Sequence, residues 1–162
     1  MIQHGSCAAL HGAGVLFLGP PGSGKSDLVL RLLRQGWTLV ADDQVVLEPT
    51  PTPGETLAHA PESLAGMLEL RGLGLVEGLP HAPAPLRLVV ELRPQGEEIP
   101  RLPEPRHHAA PGGPLPALRL HGFEASAPAR LEMALATLGL GPAPLALRAG
   151  AFGGAFERAF TA

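Results

Sequence analysis

At 162 residues with a formal net charge of −3, the chain has the length of one domain able to bury a real core and lacks the basic excess that nucleic-acid binding requires. Its single cysteine, Cys7, excludes an internal disulfide and suits a reducing cytoplasm. The apolar stretches are only strand-length, which excludes a helical membrane span, and Met1-Ile2-Gln3-His4 offers neither the basic start nor the apolar run of a secretion signal, so a soluble cytoplasmic protein is expected.

In chain order, Ser6–Leu10 and Val15–Leu18 read as two strands joined by the turn His11-Gly12-Ala13-Gly14, the second being a buried central strand. Leu28, Val29, Leu32 and Leu33 fall at helical spacing within Ser26–Arg34. Gln35-Gly36 ends that helix. Thr38–Ala41 is a second apolar strand that runs into Asp42-Asp43, and Val45–Leu47 continues the sheet. Leu64–Leu70 leads into Arg71-Gly72-Leu73-Gly74. Leu86–Leu92 and Ala117–Leu120 are further strands, and Pro128 opens a helix reaching about Leu138. The Pro- and Gly-rich stretches 49–53, 80–85 and 100–116 read as loops, with His107-His108 as solvated loop; 139–162 reads as an Ala/Gly/Pro-rich tail without a placed element.

The charged inventory is uneven in a way that singles out one region. Lys25 is the only lysine among twelve basic residues, and Asp27, Asp42 and Asp43 are the only aspartates. Arginine and lysine are not interchangeable where a compact ammonium must sit among phosphate oxygens. Around Lys25, Gly19-Pro20-Pro21-Gly22-Ser23-Gly24-Lys25-Ser26 fits G-x-x-x-x-G-K-[ST] at every fixed position, with an apolar strand before it and an amphipathic helix after it. Such a P-loop aims successive N–H groups at a triphosphate, a geometry eased by Gly22 and Gly24, and the following helix adds its positive end. In that geometry Lys25 reaches the β- and γ-phosphates of ATP and Ser26 ligates Mg²⁺.

Asp42 and Asp43 end the next apolar strand, at the sheet edge where α/β proteins place ligands. One acid there can hold magnesium, and the other or the same one can accept a proton from an attacking hydroxyl. Alternation along a strand means that both need not face the nucleotide. A pair of acids capping a turn stays an open alternative.

Three ordered segments resemble the catalytic domain of bacterial HPr kinase/phosphorylase. They are His4-Gly5 through the P-loop, Arg34-Gln35-Gly36-Trp37-Thr38-Leu39-Val40-Ala41-Asp42-Asp43, and Leu68-Glu69-Leu70-Arg71-Gly72-Leu73-Gly74-Leu75-Val76, which is similar to the family's second signature. The clear likeness covers the first half of the chain, with a weaker one at Ile99-Pro100-Arg101-Leu102. It implies a single P-loop kinase domain over 1–162, with a mixed central β-sheet and flanking helices and without the N-terminal domain of longer members. It also implies an ATP-dependent protein-serine kinase acting on HPr or an HPr-like phosphocarrier of a phosphotransferase system, and a homo-oligomer, since members form hexamers. By position, His4 and Lys25 are catalytic, Ser26 and Glu69 bind Mg²⁺, Asp43 is the base of the kinase direction and the acid of the reverse one, Asp42 is a further participant, and Arg101 resembles the catalytic arginine.

The family's later Pro-Val-Arg-Pro-Gly-Arg-Asn type motif, tied to dephosphorylation, is replaced here by Leu118-Arg119-Leu120-His121-Gly122-Phe123. The resemblance therefore implies kinase activity and leaves phosphorylase activity open. Two other readings fit a P-loop: a kinase of a small hydroxylated metabolite, and a non-catalytic ATP sensor. Glu69 and Arg71 could also be no more than a surface ion pair.

Overall fold

The computed structural model describes residues 1–153; residues 154–162, the last part of the expected tail, lie outside the described residues. Eleven strands and two helices follow one another as β1 (Ile2–His4), β2 (Ser6–Leu10), β3 (Ala13–Leu18), α1 (Lys25–Leu33), β4 (Thr38–Ala41), β5 (Gln44–Pro49) and β6 (Thr56–His59). A 3-10 turn at Glu62–Leu64 then leads to β7 (Leu68–Leu70), β8 (Gly74–Val76), β9 (Ala84–Leu92), β10 (Arg106–His108), β11 (Leu115–Leu120) and α2 (Ala127–Thr137). Among the described residues no helix is long and apolar enough to cross a membrane.

Nine of the strands form one mixed sheet, ordered β1-β5-β6-β9-β3-β2-β4, with β11 also on β9 and β10 on β11; β7 and β8 form a separate hairpin. The expected mixed sheet with flanking helices is observed. Strand β9 lies parallel to both β3 and β11, so these three strands end at the same edge. The P-loop leaves β3 at that edge.

Alternation along β3 shows how the sheet is held. Ala13, Val15 and Phe17 enter one apolar cluster with Leu28, Val29 and Leu32 of α1 and Leu131 and Leu135 of α2. Leu16 turns to the other face, where it joins Cys7, Val40, Val45, Leu47, Leu86 and Val89. Burying each large side chain contributes about 1.5–3 kcal/mol, and both sheet faces are covered. Helix α1 stops where expected, with Gly36 at φ 89° and the Trp37 N–H reaching back to the Leu32 carbonyl at 3.2 Å.

The second face is covered because the sheet curls on itself. Strands β4 and β5 stand near opposite ends of the hydrogen-bonded order, yet only Asp42 and Asp43 separate them in the chain. The three Cα–Cα steps from Ala41 to Gln44 span at most about 11 Å, so the sheet must bend to bring its ends together. The corner is tight: Asp43 has φ 70°, in the left-handed region that aspartate tolerates better than most residues.

Several short strands differ from the sequence reading. Ile2–His4, Thr56–His59, Gly74–Val76 and Arg106–His108 are strands, each defined by its pairing partner more than by apolar alternation. His107-His108 is accordingly an edge strand and not loop: His107 pairs with Pro116, and His108 with Leu115. The stretch expected as Leu64–Leu70 divides into the 3-10 turn and β7.

Candidate functional site

The loop Gly19–Ser26 closes tightly because of its glycines. Gly22 and Gly24 have φ 84° and 96°, and a Cβ on Gly19 would stand 2.5 Å from Ser23 Oγ and 3.1 Å from the Leu92 carbonyl. Gly24 caps α1, whose first residue is Lys25, so the free N–H groups of the helix start point out of the loop. The Lys25 ammonium curls over the loop and donates to the carbonyls of Gly19 at 2.5 Å and Pro20 at 3.1 Å. Burial lowers the Lys25 pKa, and the nearby charges of Asp42 and Asp43 oppose that shift. Ser23 Oγ is buried without a hydrogen-bond partner among the described residues.

Asp42 is the hub of the site and is only 6% exposed. Its carboxylate accepts the Ser26 hydroxyl at 2.9 and 3.1 Å, the Ser6 hydroxyl at 2.6 Å, and the Glu69 backbone N–H at 3.4 Å. Four segments distant in sequence therefore meet on one acid. The reading of Asp42 as one of two acids capping a turn fails here, since it reaches into the P-loop. Asp43 does the opposite: its side chain is exposed, while its carbonyl accepts the Gly5 N–H at 3.1 Å. That bond, with the His4–Gln44 pairing, sets exposed His4 beside the same corner.

The two strand-end acids thus take different surroundings. One is buried against Ser26, and the other is open to solvent near Lys25. Glu69 lies on β7 with its side chain exposed, next to Asp42 through the backbone bond. No ion pair joins Glu69 to Arg71 among the described residues, so a simple surface pair does not account for them. Arg71 turns to the P-loop instead, its Nη2 standing 3.6 Å from where a Cβ on Gly22 would be. Arg101 is exposed in the loop between β9 and β10. None of the described hydrogen bonds or ion pairs joins it to the site.

Sequence reasoning missed Ser6, Arg71 and the segment Gly122–Glu124. Arg71 had a signal, since it sits two residues from Glu69 inside a recognised segment. Ser6 had none, being one small polar residue at the start of a strand. Gly122 packs on the P-loop from nearly a hundred residues away: a Cβ there would stand 2.6 Å from the Ser23 carbonyl. Arg31 on α1 holds this segment by donating to the carbonyls of Gly122 and Glu124, the latter at 2.9 Å.

Residues 1–79 match the family model described as "HPr Serine kinase C-terminal domain". A Bordetella pertussis protein named HPr kinase/phosphorylase is 47% identical over 74 residues, which cover 46% of this chain and 24% of that protein. A Caldicellulosiruptor bescii protein of the same name is 34% identical over 109 residues, 62% of this chain and 35% of that protein. The match therefore spans only about a quarter to a third of these relatives' length. A solved structure, "Structure of the Hpr(Ser) kinase/phosphatase from Coxiella burnetii", has a TM-score of 0.73 at 22% identity, covering 86% of this chain and 90% of that one. It shows a shared fold. With the ordered motifs and the P-loop corner, residues 1–79, just under half of this chain, are similar to the HPr serine kinase C-terminal domain family.

Proposed function

We propose that the chain is an ATP- and Mg²⁺-dependent protein-serine kinase acting on HPr or an HPr-like phosphocarrier, within one P-loop domain. The observation that carries this reading is the Ser26–Asp42 contact at 2.9 and 3.1 Å, made at the foot of a P-loop whose lysine is flanked by a second acid. A hydroxyl and a carboxylate this close are hard oxygen donors suited to Mg²⁺. Among the described residues no group of three or more His, Cys, Asp or Glu is assembled for a metal, which agrees with a cation held by one or two protein groups together with phosphate oxygens. Ser26 and Asp42 would hold it, with Glu69 alongside. Mg²⁺ bound there supplies charge neutralisation at the β- and γ-phosphates.

In the proposed reaction, backbone N–H groups from Gly22 to Ser26 hold the triphosphate. Lys25 exchanges the Gly19 and Pro20 carbonyls for phosphate oxygens. Arg71 is placed to share the developing charge, a role that Arg101 holds by resemblance alone. Asp43, exposed and next to His4, takes the proton of the incoming serine hydroxyl. The serine oxygen bonds to the γ-phosphorus while the bond to the β,γ-bridging oxygen breaks, giving phosphoserine and ADP. The proposed activity covers the kinase direction only, since the family motif tied to dephosphorylation is replaced here by Leu118–Phe123. The family resemblance further supports a homo-oligomer, hexameric in members, in the cytoplasm.

The test is transfer of label from [γ-³²P]ATP with Mg²⁺ to purified HPr and to HPr-like carriers. Label on a carrier serine supports the proposal. Label on a small metabolite, or tight ATP binding with no transfer to any carrier, overturns it.

A further inference from the structure

The P-loop has two unlike flanks. On one side stand Asp42, Asp43, Lys25 and the Arg71 guanidinium, all charged. On the other, the far end of the Phe123 ring abuts Gly24: Cε1, Cζ and Cε2 lie 3.2, 3.2 and 3.3 Å from where a Cβ on Gly24 would stand. Phe123 nonetheless remains 55% exposed and belongs to neither apolar cluster. With only the end of the ring in contact with the loop, ring surface stays open to solvent. Large aromatics are rarely left in this condition without a partner, because their burial is worth more than that of most side chains.

The ring is also held in place. Gly122 allows the segment to touch the Ser23 carbonyl. Arg31 ties both carbonyls flanking Phe123 to α1, Arg130 pairs with Glu124 at 3.1 Å, and the His121 ring meets the Arg93 carbonyl at 3.2 Å. A fixed aromatic beside a phosphate-binding loop, on the flank away from the acids, is a stacking platform. The terminal phosphate belongs on the charged flank, because the proton acceptor and the metal-binding oxygens are there. The nucleoside end of the same ligand then falls toward the apolar flank.

We propose that Phe123 stacks against the purine ring of the bound nucleotide, making Gly122–Glu124 a nucleobase site. This rests on the nucleotide reading above and adds to it where the base is held. The segment contributes affinity for the base and none for the phosphates.

The experiment compares Mg·ATP with Mg·tripolyphosphate, which has the phosphates and no base, by calorimetry on the wild type, Phe123→Ala, Phe123→Leu and Phe123→Trp. Thermal melts of each variant establish that it is folded. Loss of a stacked base weakens binding by about 5- to 150-fold. The expected result is that loss for ATP in Phe123→Ala and Phe123→Leu, unchanged tripolyphosphate binding, and recovery of ATP binding in Phe123→Trp. Equal ATP affinity in wild type and Phe123→Ala overturns the inference. So does an equal loss for both ligands, which would make the ring a prop for the loop. A wild-type protein that binds tripolyphosphate but no better binds ATP also overturns it, while leaving the phosphate site standing. Failure to bind either ligand sinks the nucleotide reading itself, and this inference with it.

Discussion

Replacing Asp42 and Asp43 by asparagine, one at a time, separates two roles that neighbouring residues of the same type would otherwise share. Asp42 is buried and accepts two hydroxyls and a backbone N–H. Hydrogen bonds to a charged acceptor contribute about 1.5–3 kcal/mol each, and neutral ones about 0.5–1.5 kcal/mol. Asparagine keeps one acceptor oxygen and turns the other into a donor, so one of the three donors meets an N–H₂ group. The net cost is about 1–3 kcal/mol, or a Tm lowered by roughly 2–12 °C at the ~2–4 °C per kcal/mol expected for this chain length. Asp43 is exposed, and its described hydrogen bonds run through the backbone. Asparagine also tolerates the left-handed conformation found there, so Asp43→Asn should leave Tm within about 2 °C, as for most surface changes. Its effect belongs in turnover, where loss of a general base costs about 10²–10⁴-fold in kcat. Differential scanning fluorimetry and steady-state transfer to the carrier read both quantities. If Asp43→Asn retained full transfer, the base assignment would be wrong. An Asp42→Asn protein with wild-type Tm and wild-type Mg·ATP affinity would refute the hub.

Three further outcomes are expected. Leu131 on α2 is fully buried, so Leu131→Ala should lose about 2–5 kcal/mol, seen as a reduced urea midpoint; a loss under 1 kcal/mol would mean that α2 does not cover the core as described. Burial pushes the Cys7 thiol far above its ordinary range, so a maleimide should label it only after denaturation, and rapid labelling of the native protein would contradict its position between β3 and β4. Lys25 has a lowered pKa in the folded state, so below 10.5 the unfolded chain binds more protons at this group, and its contribution to stability rises with pH. The stability difference between Lys25→Met and wild type should accordingly move in favour of wild type as the pH rises toward 10.5, and a difference flat with pH would refute the shift.

What could be read from the sequence was what is settled locally. The P-loop is contiguous, and its fixed residues follow from needs within eight positions, so Gly19–Ser26, the strand before it and helix α1 fall where expected to within a residue or two. The long apolar runs in β3, β4 and β9 were equally plain, because both of their faces are buried. Strands of three or four residues such as Arg106–His108 carry too little pattern, and they exist because β11 pairs with them. The site divides in the same way. Lys25, Ser26 and the acid pair were visible, but the burial of Asp42 and the exposure of Asp43 were not, since they depend on the sheet curl and on a left-handed turn at Asp43. The packing of Gly122 and Phe123 on Ser23 and Gly24 joins segments about a hundred residues apart, and no spacing rule links them.

The same curl ties the geometry of the P-loop corner to the stability of the fold. A flat sheet in this strand order would leave β4 and β5 too far apart for two residues to join, and Asp42 would end its strand in solvent. Closure instead carries Asp42 beneath the P-loop, where Ser6 from β2 and the backbone of Glu69 complete its hydrogen bonds. An acid buried this deeply is tolerated only while those donors remain. The energy that holds the sheet closed therefore also holds Ser26 oriented. Asp43, on the outside of the turn, escapes this constraint and stays exposed to solvent.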